Sequence, residues 1–136
     1  MRLIGINIRH YWGTLLYTLI VLVLCLIPAS EMKVGVTISD KVAHVLMFLG
    51  LSLLLWVEYI FHYTYRRREH PIRWQGQLLY PLFIGAVTEL LQHYVIPSRT
   101  GDIYDFLADT LGILLGMLVG FVVCLYIKKN IQNKVN

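Results

Sequence analysis

Apolar residues along this chain fall into four long runs, each closed by proline or by basic residues. The first extends from about Tyr11 to Ile27 and ends at Pro28. The second, Val42 to Tyr63, stops before Arg66, Arg67 and Arg68, and the third, Gln77 to Val95, before Pro97. The last reaches from Ile103 to Ile127, where Lys128 and Lys129 close it. A bilayer core about 30 Å thick takes roughly 20 mostly apolar residues per helix. The pattern therefore predicts an all-α fold, a bundle of four transmembrane helices forming one domain over residues 1–136. Arg2 and Arg9 before the first span resemble the basic start of a signal peptide. Its apolar stretch exceeds the usual length of roughly 7–15 residues, however, and Pro28-Ala29-Ser30 is a poor cleavage site, which favours a retained helix.

Composition supports the lipid reading. Hydrophobic residues make up 57% of 136, and charged residues only 15%. Mean hydropathy is +0.64. A typical soluble domain carries about 25% charged residues, and one this small has too much surface for its volume to hide so many apolar side chains. Disordered and disulfide-scaffold classes fail on the same figures. The net charge of +4 and pI near 9.2 do not imply nucleic acid, because no basic stretch is interleaved with aromatics as in a soluble binding module. In a membrane chain, Lys and Arg set orientation. Nine of the twelve (Arg2, Arg9, Arg66, Arg67, Arg68, Arg73, Lys128, Lys129 and Lys134) fall on one side of a four-span topology, and Lys33, Lys41 and Arg99 on the other. Both termini and the arginine loop are accordingly expected in the cytoplasm. Cys25 and Cys124 then sit roughly 20 Å or more apart along the membrane normal, too far for a disulfide.

The ionisable residues gather on the opposite, outer side. Asp40, Lys41 and His44 open the second span; Glu89, Gln92 and His93 end the third; Arg99, Asp102, Asp105 and Asp109 lead into the fourth. Glu89, Gln92 and His93 share one helix face at i, i+3, i+4. Asp102, Asp105 and Asp109 form a stripe that continues through Gly112, Gly116 and Gly120, a ridge of small residues that lets membrane helices approach closely. Its exposed half offers a surface for a homo-oligomer. Plainer readings stand beside these. Asp102 can cap its helix, Lys41 and Arg99 can snorkel to headgroups, and His44, Gln92 and His93 can be satisfied near the interface. Glu89 and Asp109 lie deeper, where a charged group normally faces a bundle interior and marks function. Glu58 and His62 read as an interfacial pair beside the arginine loop, and Tyr59, Tyr63, Tyr65 and Trp74 as an aromatic belt.

His44, Glu89, His93 and three aspartates converge in this topology, and such an oxygen-rich cluster can hold a hard cation, but no H-E-x-x-H or paired-cysteine spacing is present, so no metal and no cofactor is expected. Ser39, Ser98 and Thr100 lack any nucleophile motif. Carboxylates beside a histidine suit general acid–base chemistry or ligand binding, and spacing does not separate the two.

Three segments carry a resemblance. D-K-V-A-H-V-L-M-F-L-G-L-S from Asp40, G-A-V-T-E-L-L-Q from Gly85 to Gln92, and R-T-G-D-I-Y-D-F-L-A-D-T-L-G-I-L-L-G from Arg99 to Gly116, in that order, resemble the VanZ-like family. The resemblance implies a multi-pass protein of the bacterial cytoplasmic membrane, in a family whose namesake is associated with teicoplanin resistance. It points to Asp40, Lys41, His44, Glu89, Gln92, Arg99, Asp105, Asp109, Gly112 and Gly116. Asp109 departs from the asparagine usual in the family. Taken together, these residues predict an outer-face pocket for a lipid-linked or lipophilic anionic group, with membrane lipids and a lipid-linked cell-wall precursor or lipoglycopeptide as partners. The competing expectation is a membrane-embedded hydrolase or transferase using the same residues; transport fits less well, because broken helices and inverted repeats are not visible.

Overall fold

The computed structural model describes residues 8–27, 40–66, 74–96 and 103–134, and among them it contains helices and no strand. A 3₁₀ turn, Ile8–Tyr11, leads into α1 (Trp12–Leu26). Helix α2 spans Asp40–Tyr59 and runs on as a π-helical segment, Ile60–Tyr65. Helices α3 and α4 cover Trp74–Val95 and Ile103–Asn133.

Among the described residues, three helical stretches are long and apolar enough to cross a membrane: Arg9–Leu26, Asp40–Tyr65 and Ile103–Asn133. Helix α3 is not among them. Its 22 residues give about 33 Å of helix at 1.5 Å per residue, enough in length, but Gln77, Glu89, Gln92 and His93 lower its apolar content. Helix α4 runs past Lys128 and Lys129 to Asn133, beyond the predicted end at Ile127. Lysine is a good helix former and suits the negative end of the helix dipole, so it ends the apolar run without ending the helix.

Side chains from all four helices meet in one core: Val21 and Cys25 of α1, Phe48 and Leu51 of α2, Ile84 of α3 and Ile113 of α4. Large apolar side chains also cover the outside, including Leu16 and Leu19 of α1, Phe83 of α3 at 65% exposure and Leu118 of α4 at 62%. An apolar exterior over an apolar core is what lipid as solvent permits and water does not. Both cysteines are buried, and neither is in a disulfide.

Helices α2 and α4 form the most extensive pair, and they run parallel: Lys41 meets Asp105, His44 meets Asp109, and Ser52 bonds to the Ile113 carbonyl. The glycine ridge makes this possible. A Cβ on Gly112 would strike the backbone of Val45 and Leu49, one on Gly116 would lie 2.6 Å from the Ser52 Cβ, and one on Gly120 would enter the Trp56 ring. All three glycines are buried against α2. The expectation of a ridge half-open for a second copy is therefore corrected: the ridge is filled within the chain.

Glu58 does not serve as an interfacial partner of His62. It reaches from α2 to the N-terminus of α1 and accepts hydrogen bonds from Gly13 N at 2.7 Å, Thr14 N at 3.1 Å and Thr14 Oγ1 at 2.6 Å. The residue preceding α1, Tyr11, supplies no side-chain cap, and a carboxylate there satisfies orphan donors and complements the helix dipole. His62 instead stacks on His10, ring centroids 4.5 Å apart. Glu58→Ala should cost about 1–2 kcal/mol, the range for lost helix caps, whereas Glu58→Gln should recover much of it. Thermal melting of the detergent-solubilised protein reads this order.

Candidate functional site

The end of the bundle opposite Glu58 is built from the start of α2, the last turns of α3 and the start of α4. Helical spacing decides what faces inward there. On α2, Lys41 and His44 are separated by three residues and lie on the side that meets α4. On α4, Asp105 and Asp109 continue the stripe of the glycines, so the close approach at Gly112 draws both carboxylates against α2.

Two pairs result. At the rim, Lys41 Nζ donates to Asp105 Oδ1 at 3.2 Å, with the lysine half exposed and also 5.5 Å from the Tyr104 ring centroid. One turn deeper, His44 Nδ1 and Asp109 Oδ1 are 2.8 Å apart, with His44 1% and Asp109 0% exposed. Helix α3 closes the third side. Ligand atoms of His44, Glu89 and Asp109 lie within 4.8 Å of one another, and those of Asp40, His44 and Asp105 form a second such group nearer the surface. His44 belongs to both, which makes it the joint between the rim and the buried centre.

The other Asp109 oxygen, Oδ2, is buried without a hydrogen-bond partner among the described residues. It lies beside α3 at Gly85, where a Cβ would come to 3.3 Å. Gly85 thus leaves the room in which Asp109 sits, one turn before Glu89. The adjoining Thr88 hydroxyl turns back to the Gly85 carbonyl at 2.7 Å and adds nothing to the centre.

The structure brings together Asp40, Lys41, His44, Glu89, Asp105 and Asp109. Gln92 is close in sequence but differently employed: its Nε2 donates 2.9 Å to the Cys25 carbonyl, tying α3 to the C-terminal end of α1. His93 is exposed. Arg99 and Asp102 lie outside the described residues. Gly85 is the residue that spacing did not single out, although it stands in the quoted segment before Glu89; nothing short of the α3–α4 contact reveals its role.

The described centre holds four carboxylates (Asp40, Glu89, Asp105, Asp109) against one lysine and one histidine. The aspartate–histidine contact can hold an imidazole in one orientation for proton transfer. Carboxylates grouped with an imidazole can equally hold a cation. Comparison of this chain with family models, curated proteins and solved structures gives no significant match.

Proposed function

We propose that this chain is a VanZ-like envelope protein of the bacterial cytoplasmic membrane. In this reading it crosses four times with both termini cytoplasmic, and its outer-end polar centre recognises a lipid-linked or lipophilic anionic group. The observation that carries the reading is the convergence of His44, Glu89 and Asp109 from three helices into a buried group, with Lys41 and Asp105 at its rim. Polar groups buried at such cost in an apolar bundle are retained where they bind or react.

In the proposed complex Lys41 and Arg99 meet the phosphate or carboxylate of the ligand, Arg99 with a two-pronged guanidinium contact. Asp40 and Asp105 orient those cations at the rim. Glu89 and Asp109, deeper in, accept hydrogen bonds from sugar or peptide donors of the same ligand, while Gln92 holds α3 and α1 in place beside them.

Polyprenyl phosphate added to the purified protein should be retained in native mass spectrometry. Arg99→Ala and Lys41→Ala should each weaken retention about ten-fold, the loss of roughly one charge-assisted hydrogen bond. Retention unchanged in both variants contradicts the reading. Contribution to glycopeptide resistance is a separate consequence: expression in a teicoplanin-sensitive Gram-positive host should protect, and Arg99→Ala at matched membrane levels should not.

The 2.8 Å contact between His44 and Asp109 favours one second reading, a hydrolase or transferase acting on a lipid-linked substrate. There His44 or Glu89 is the base and Arg99 stabilises developing charge. Turnover of a lipid-linked pyrophosphate by purified protein, abolished in His44→Asn, distinguishes it from binding alone.

A further inference from the structure

The far end of the bundle, beside Glu58, is cationic. Among the described residues, Arg9, Arg66, Lys128, Lys129 and Lys134 stand at that end with one carboxylate, Glu58. Both Glu58 oxygens are taken up by Gly13 and Thr14. Arg66, Lys128 and Lys129 form no ion pair with a described carboxylate; the lysine that does, Lys41, is at the opposite end. Two of the cations lie over aromatic rings instead. Lys128 Nζ is 5.9 Å from the Tyr59 ring centroid, and Arg66 Cζ is 4.6 Å from that of Phe61.

Helical register brings a hydroxyl to the same level. Helices α2 and α4 run parallel, and Ile60 packs with Cys124 in one apolar cluster. One turn further along each helix come Thr64 and Lys128. Thr64 Oγ1 is buried without a hydrogen-bond partner among the described residues. Other helical threonines here turn back to their own helix: Thr18 and Thr110 donate to the carbonyl four residues earlier, at 2.8 and 2.9 Å. Thr64 lies in the π-helical segment Ile60–Tyr65, whose wider turns direct each carbonyl to the residue five positions on, and its hydroxyl does not make that bond. A buried hydroxyl left unpaired is costly unless a bound oxygen takes its proton.

We propose that this corner, between the π-helical end of α2 and the last turns of α4, seats the headgroup of an anionic phospholipid from the adjoining leaflet. One phosphate oxygen meets the Lys128 ammonium above the Tyr59 ring, and a second accepts from the Thr64 hydroxyl. Arg66 and Lys129 add positive charge that favours a lipid of net negative charge over a zwitterionic one. The exposed rings of Phe61, Tyr65 and Tyr126 put the corner at headgroup depth, where phospholipid phosphates are concentrated. The exposed side chains of Leu118 and Val122, lower on α4, offer a track for the acyl chains. The headgroup would tie α2 to α4 beyond their last glycine contact, Gly120 against Trp56. This site is separate from the polar centre at Asp109 and uses none of its residues.

Native mass spectrometry of the full-length protein in detergent, with added phosphatidylglycerol or phosphatidylcholine, tests the proposal. Phosphatidylglycerol should be retained in preference. Lys128→Ala should weaken its retention about ten-fold, and Thr64→Val, which changes no charge, about three-fold, as expected for one charge-assisted and one ordinary hydrogen bond. Lys134→Ala, which removes the same charge further along α4, should leave retention unchanged, as should Lys41→Ala. Melting curves of each variant show that it is folded. Equal retention of the two lipids overturns the proposal. So do equal losses in Lys128→Ala and Lys134→Ala with none in Thr64→Val, which is general attraction of anionic lipid to a basic end. The ligand reading at the Asp109 end fails or stands separately, because polyprenyl phosphate retention there should fall in Lys41→Ala and not in Thr64→Val. Phosphatidylglycerol retention that falls in Lys41→Ala but not in Lys128→Ala places the lipid at that other end and overturns the site proposed here.

Discussion

Gly112→Ala should be the most damaging single methyl addition in this protein, lowering stability by about 3 kcal/mol, the upper part of the range for overpacking. The reason is the nature of what the methyl meets. At Gly112 the obstacles are the Val45 carbonyl and the Leu49 amide, which are backbone atoms of α2 and cannot move without displacing the helix. At Gly50 the nearest obstacle is the Tyr17 hydroxyl, the far end of a side chain that can swing aside. Alanine also gains about 1 kcal/mol over glycine in helix propensity. Gly50→Ala should therefore come out near neutral while Gly112→Ala melts roughly 10 °C lower or fails to accumulate. Melting curves of the two variants side by side check this. Equal melting temperatures would mean that α2 and α4 do not touch at Gly112.

The second large effect is at Asp109. Asp109→Ala should destabilise by about 2–3 kcal/mol, because it leaves the His44 imidazole buried with an unsatisfied nitrogen in addition to a small void. Asp109→Asn should cost less than about 1 kcal/mol, since the amide can still bond to the imidazole and interhelical hydrogen bonds in membranes contribute roughly 0.6 kcal/mol on average. Stability and function should then part. Asp109→Asn folds nearly as well as the wild type yet removes a carboxylate from the buried centre, and polyprenyl phosphate retention should fall with it. Asparagine is also the residue expected here from the VanZ-like resemblance, so the comparison measures what this chain's aspartate adds. A purely structural Asp109 would show Asn and wild type alike in polyprenyl phosphate retention as well as in melting.

Much of the architecture was legible because lipid imposes a simple code. The runs Tyr11–Ile27 and Ile103–Ile127 correspond to α1 and α4 within a residue except at the C-terminal end of α4, where helical lysines continue the helix after the apolar run stops. Spacing by three and four placed Asp105, Asp109, Gly112, Gly116 and Gly120 on one face, and all five are buried together. Periodicity does not say which helix a face meets. That α2 receives the stripe, in parallel register, follows only from the packing. The role of Glu58 is hidden from the sequence for a related reason: a cap supplied across helices, 45 positions from Gly13 along the chain, leaves no local signature at either end. Gln92 resembled a site residue by position but satisfies a carbonyl of α1, a partner no spacing could reveal.

The ligand proposed for this protein is held at the Asp40–Asp109 end of the bundle, and crosslinking can test that location directly. A polyprenyl phosphate carrying a photoreactive diazirine next to the phosphate would be crosslinked to the protein in nanodiscs and the adducts mapped by peptide mass spectrometry. Adducts should concentrate in the first turns of α2 and α4 and the last turns of α3, be competed by unlabelled lipid and be lost in Arg99→Ala. Adducts gathered instead around Glu58, His62 and Tyr63, or spread evenly along the lipid-facing helices, would contradict it.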